Sequence, residues 1–169
     1  MTALPRPLLL MTRVALFGAV AWLGAAGTAT AQETVAIEVP SGVSFPVTDV
    51  SVSTSGAPNP VTVRFSEGNL GPGRAVRISV QADASAFTPP AGGVTIPASS
   101  VSWTSVSFSN GTPSDGTLSA SAYTIVFQSD PGSTSGHVDL GWTLAPPPSG
   151  VRAGNHQLTI RWKLEAINP

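Results

Sequence analysis

Leu158-Thr-Ile-Arg-Trp-Lys-Leu-Glu165 alternates apolar and polar residues without a break. Leu158, Ile160, Trp162 and Leu164 share one parity, and Thr159, Arg161, Lys163 and Glu165 take the other. A period of two marks a strand with one face covered and one face in water, and it excludes a helix here. Val138, Leu140, Trp142 and Leu144 repeat the pattern upstream. Shorter rows come earlier: Val35, Ile37 and Val39; Val43, Phe45 and Val47, followed by Val50 and Val52; Val61, Val63 and Phe65; Val76, Ile78 and Val80. Val101 and Trp103 continue to Val106 and Phe108 only after a one-residue slip, which predicts a bulge. Tyr123 to Phe127 is apolar at both parities, as a central strand covered on both faces would be.

Turn residues separate the rows, at Pro40-Ser-Gly42, Asn59-Pro60, Asn110-Gly111, Asp115-Gly116, Asp130-Pro-Gly132 and Pro146-Pro-Pro-Ser-Gly150. About eight or nine short strands with no helical stretch predict an all-β fold, an antiparallel β-sandwich of immunoglobulin-like character. A closed barrel is the alternative. The chain has no cysteine, so the likeness is one of architecture and excludes the paired cysteines of antibody domains. It also excludes a thiol nucleophile, a thiolate metal site and a lipid-bearing cysteine.

Residues 1–31 read as a cleaved secretory signal peptide. Arg6 and Arg13 supply a positive start, Val14–Leu23 a short apolar core, and Ala29-Thr30-Ala31 a small-x-small cleavage site before Gln32. The apolar run is shorter than the roughly 20 residues that a membrane span needs. Residues 32–169 are then expected to form a single β-sandwich domain, secreted to the periplasm, the cell surface or the medium, with no membrane span after cleavage. Met11 is an alternative start, because 11–31 alone carries a full signal.

Eight Lys and Arg face nine Asp and Glu, and removing Arg6 and Arg13 makes the rest more acidic. The remaining cations are scattered singly, which argues against nucleic acid and against an anionic membrane surface. Gly132-Ser-Thr-Ser-Gly136 places Thr134 where a nucleophile elbow needs serine, and no helix follows it. His137 and His156 sit at strand edges on the polar parity, without metal-ligand spacing. They can meet only if their strands pair. Carboxylates occur singly along the strands, and Asn110–Asp115 has oxygen atoms for calcium but no recognised spacing. The expectation is a protein that is not an enzyme, with no metal and no cofactor.

Trp103, Trp142 and Trp162 follow the signal segment. Indoles along a strand face can stack on sugars, but all three share the parity of Val, Leu and Ile, so a core position is the better reading. Both Trp-x-Leu rows are expected on one face of adjacent antiparallel strands, with Trp162→Ala costing about 3–5 kcal/mol.

Trp142-Thr-Leu144 and Trp162-Lys-Leu164 resemble the paired motifs of the WxL domain, a bacterial surface module, and the segment 154–169 is similar to that domain's last strand. The resemblance covers only the C-terminal part of the chain, and the two motifs lie closer together here than in that family. It implies non-covalent wall association, with Trp142, Leu144, Trp162 and Leu164 as the motif positions. The expected function is that of a secreted, non-enzymatic surface protein, structural or adhesive, whose partner is a cell-wall polymer or another surface protein. Two alternatives remain. One is a carbohydrate-binding module using exposed aromatics, including Trp103. The other is a self-assembling pilin-like subunit that donates Glu33–Val39 to a neighbour's sheet edge.

Overall fold

The alternation at the C-terminal end is realised as strand β10 (Ile160–Ile167), and the earlier Trp-x-Leu row as β9 (Gly136–Leu144). The computed structural model describes residues 33–90 and 93–169; the expected signal peptide lies outside the described residues. The other strands are β1 (Thr34–Glu38), β2 (Thr54–Ser55), β3 (Val61–Asn69), β4 (Ala75–Ala82), β5 (Val101–Ser109), β6 (Gly111–Pro113), β7 (Gly116–Thr117) and β8 (Thr124–Ser129). One short 3₁₀ turn, Ala98–Ser100, leads into β5. The expected eight or nine strands become ten among the described residues, the surplus being two- and three-residue pieces.

All pairings are antiparallel and form two sheets. The first runs β1-β3-β9-β5-β7, with β2 also on β9, and the second runs β10-β4-β8-β6. The sheets meet through one apolar core that holds Val63, Phe65, Trp103, Leu140 and Trp142 from the first and Ile78, Val80, Val126 and Phe127 from the second. Phe65 and Phe127 touch across the layers at 6.2 Å between ring centroids. The arrangement is two antiparallel sheets on a shared core, and among the described residues each sheet ends in edge strands instead of closing into one barrel.

The two Trp-x-Leu rows are not on adjacent strands. β9 sits at the centre of the first sheet, whereas β10 is an edge of the second and pairs only with β4, Trp162 opposite Val80 and Leu164 opposite Ile78. The rows face each other across the core. Trp142 and Leu144 are buried, while Trp162 and Leu164 are half-buried because, among the described residues, no strand pairs with β10 on its far side. The strand that pairs Trp142 is β5, with Trp103 directly opposite.

Three further expectations meet corrections or support. The bulge in β5 is present, between Ser105 and Ser107, and it turns Val106 outward to 62% exposure. The row from Val43 to Val52 is not a strand. Val43 and Phe45 pack on the core, but Val50 and Val52 are exposed in a turn held by Asp49, whose Oδ1 accepts from the Ser51 N–H at 2.8 Å. β8 is central, between β4 and β8's other neighbour β6, yet only one of its faces is covered. A register shift between Ile78 and Ser79 sends both Val126 and Phe127 inward, leaving Tyr123 and Ile125 on the open face.

The turn expected at Asn110-Gly111 is a one-residue corner at Asn110. Asn110 has φ 54° and carries the chain from β5 in one sheet to β6 in the other through a single residue. Asn tolerates this left-handed conformation better than most residues. Asn110 Nδ2 donates to the Ser135 carbonyl at 2.9 Å, and its own carbonyl accepts from the Asp130 N–H at 2.9 Å.

Candidate functional site

Two groups of side chains stand out, one inside the sandwich and one on the open face of the first sheet. The inner group is the tryptophan cluster. Trp103 and Trp142 are 1% and 2% exposed and tilt against each other at 5.3 Å; Trp162 meets Trp142 edge-on at 6.5 Å. These offset and edge-on geometries are the favourable ones for aromatic pairs. Trp103 Nε1 donates to the Ser114 carbonyl at 2.8 Å, and Gly116 leaves the space that the Trp103 ring fills. Trp142 Nε1 is buried and has no hydrogen-bond partner among the described residues.

Of the sequence-predicted site residues, Trp103, Trp142 and Leu144 are therefore core residues, and Trp162 and Leu164 border the core from the edge strand. No strand face carries these indoles outward as a sugar platform. Only Trp162 keeps an exposed fraction.

The outer group was not singled out from the sequence. It forms two rows across β3, β9 and β5. In the first, Asp139 lies opposite Thr62 on one side and Ser107 on the other. Thr62 Oγ1 donates to Asp139 Oδ1 at 2.6 Å, and Ser107 Oγ donates to Asp139 Oδ2. In the second, His137 lies opposite Arg64 and Ser109, and Ser109 Oγ hydrogen-bonds His137 Nδ1 at 2.7 Å. Arg64 also pairs with Glu38 of β1 at 3.3 Å, on an exposed surface where such a pair adds little stability. The rows border an open polar hollow of about 540 Å³ whose floor includes Gly136 and Phe65.

The chemistry of the outer group follows from these bonds. Asp139 turns both oxygens to hydroxyls and not to the imidazole, so Ser109 and His137 form a pair without a carboxylate orienting the ring. His137 and His156 do not share a site by hydrogen bonding: His156 Nε2 contacts the Arg152 carbonyl at 2.9 Å. Among the described residues no group of three or more His, Asp or Glu is placed to hold a metal ion. Asp115, in the loop considered for calcium, instead accepts the Ser105 N–H at 2.7 Å and so secures the β5 bulge.

The Ser107 bond, then the Thr62 bond, hold the Asp139 carboxyl below its ordinary value of 3.8. A carboxylate whose folded value is depressed stabilises the fold above its unfolded value, and that contribution is lost as the pH falls through the folded value. We expect stability to decline below about pH 3.8 and Asp139→Asn to flatten that part of the profile. Urea midpoints measured from pH 2 to 6 check this; parallel profiles for both proteins would refute it.

No family model matches the chain, and none of the curated proteins matches it.

Proposed function

We propose that the chain is an exported, non-enzymatic β-sandwich of the cell surface, structural or adhesive in role, that associates with a cell-wall polymer or another surface protein. The observation that carries this reading is the use made of the two Trp-x-Leu segments. Both contribute to a single core, Trp142 against Trp162, as framework residues. The signal-like segment 1–31 supports export, and the WxL resemblance supports the wall in particular. The immunoglobulin-like description applies to the two-layer architecture.

The test is cell fractionation with N-terminal sequencing. Export predicts material in the wall, periplasm or medium that begins at Gln32. Cytoplasmic protein still beginning at Met1 or Met11 would overturn the reading. Incubation with washed wall preparations then separates wall association from free secretion.

A second reading, carbohydrate binding, draws support from the outer hollow, where Thr62, Ser109, His137 and Asp139 present donors and acceptors to a polyhydroxylated ligand. Of the three tryptophans, only Trp162 could serve the aromatic version, because Trp103 and Trp142 are enclosed. Titration with wall oligosaccharides, read by tryptophan emission and by His137 resonances, distinguishes the two surfaces.

A further inference from the structure

Among the described residues the two sheets end in β1 and β7 and in β10 and β6, and three of these four edges are poor templates for another strand. β1 is interrupted by a register shift between Thr34 and Ala36, β7 has two residues, and β6 has three, one of them Pro113. Short length, bulges and proline are devices that keep sheet edges from pairing with other chains. β10 has none of them. It keeps one register with β4 over eight positions, from Ile160 to Ile167.

One bond fixes the direction of its backbone groups. The Asp83 N–H donates to the Thr159 carbonyl at 2.8 Å, so the backbone of Thr159 faces β4. Directions alternate along an antiparallel strand. Arg161, Lys163, Glu165 and Ile167 therefore turn their N–H and C=O to β4, and Ile160, Trp162, Leu164 and Ala166 turn theirs to the open edge. Arg74 Nη2 donates to the Ala166 carbonyl at 2.9 Å, and among the described residues no strand pairs with this outward row. Its side chains Ile160, Trp162 and Leu164 are half-buried, whereas Ile78 and Val80 beside them on β4 are 0% exposed.

Charge selects what pairs there. On the outer face Lys163 and Glu165 stand two positions apart and join at 2.7 Å. Opposite charges facing across two strands stabilise the pair, and like charges oppose it. Suppose β10 of a second copy lies antiparallel along this edge. Centred on Trp162, it sets Arg161 opposite a lysine; centred on Lys163 or Glu165, it sets that residue opposite itself. Centred on Leu164, it puts Lys163 opposite Glu165 of the second copy, twice over, with no like charges facing. On the inner face Leu164 then meets Leu164, and Trp162 meets the small Ala166. Lys163 Nζ also lies 5.4 Å from the Tyr123 ring centroid, an exposed contact of the weak kind that a lysine leaves at small cost.

We propose that β10 is a self-association surface, through which two copies of this chain pair β10 to β10, antiparallel about Leu164, and join their second sheets into one. Such a contact uses the same surface on both copies and closes at the dimer. It rests on neither export nor wall association. It also differs from donation of Glu33–Val39, because β1 is already paired with β3 and no strand leaves its own sheet.

The chain is purified as the cell leaves it and its N-terminus sequenced, so that the mass of one copy is known. Sedimentation equilibrium over a concentration series is expected to show monomer and dimer and no larger species. The outward amides of Trp162 and Leu164 should exchange hydrogen more slowly as concentration rises. Lys163→Glu and Glu165→Lys each set like charges face to face and should weaken the dimer about tenfold or more. An equimolar mixture of the two restores opposite charges, and association should return. Ala166→Pro removes an outward N–H, a position where an edge strand tolerates proline, and should weaken pairing while leaving the fold intact. A chain that stays monomeric at about 1 mM overturns the proposal, as do larger assemblies in place of a dimer. So does exchange at Trp162 and Leu164 that ignores concentration, a comparison that needs no variant to fold. Undiminished pairing in Ala166→Pro, or a mixture of the two folded charge variants that fails to associate, overturns it as well.

Discussion

Trp142→Ala is expected to lower the unfolding free energy by about 3–5 kcal/mol, the range for removing a large buried aromatic side chain. The ring is 2% exposed on the central strand of the first sheet and touches Trp103 and Trp162. Its loss removes apolar burial and leaves a void between strands that β-pairing prevents from closing. Trp162→Ala should cost less, because that ring, on the edge strand, is only partly buried in the folded state. This revises the expectation drawn from alternation alone, which treated the two rows as equals. Urea unfolding followed by far-UV circular dichroism measures both. Equal losses, or a Trp142→Ala variant that melts within a degree or two of the parent, would contradict the placement of Trp142.

The strands themselves were legible because alternation is a local property. Val138 to Leu144 buries every second residue, and the β5 bulge announced itself as a slip in parity. The choice of sheet was not legible. Two rows with the same apolar spacing fit side by side or face to face equally well, and only pairing partners distant in sequence decide between them. Here β10 takes β4 as its partner over eight positions, from Ile160 with Ala82 to Ile167 with Ala75. The row from Val43 to Val52 shows the opposite failure, where alternation is present but Pro46 and the Asp49 turn break the chain. Apolar residues at both parities of β8 reflected a register shift and not a second covering layer.

The outer site was half visible. His137 and Asp139 could be placed on the polar parity of β9, but Thr62, Ser107 and Ser109 join them from strands far away in the sequence. Hydroxyl residues are common in this chain, so nothing marked these three until the register was known.

Gly111→Ala is the second change expected to be severe, at about 1–3 kcal/mol of overpacking, with loss of β6 pairing. Gly111 follows the single residue that moves the chain between sheets, and it pairs with Ser129 of β8. A Cβ there would run into the Gln128 carbonyl oxygen, the tip of the Phe127 ring and, at 2.8 Å, the Ser129 Cα. Two of those obstacles are backbone, and the third belongs to a ring that is 0% exposed and wedged against Phe65. None can swing aside as an exposed side chain would, so the corner must pull away from β8. Gly42→Ala is the control, because a Cβ at that exposed position meets nothing within 4 Å. Comparing the urea midpoints of the two variants isolates the steric effect from the general cost or gain of replacing glycine. Amide hydrogen exchange at Gly111 and Ser129 should rise in Gly111→Ala alone; matched stability and unchanged exchange would mean that the corner has room for a methyl group.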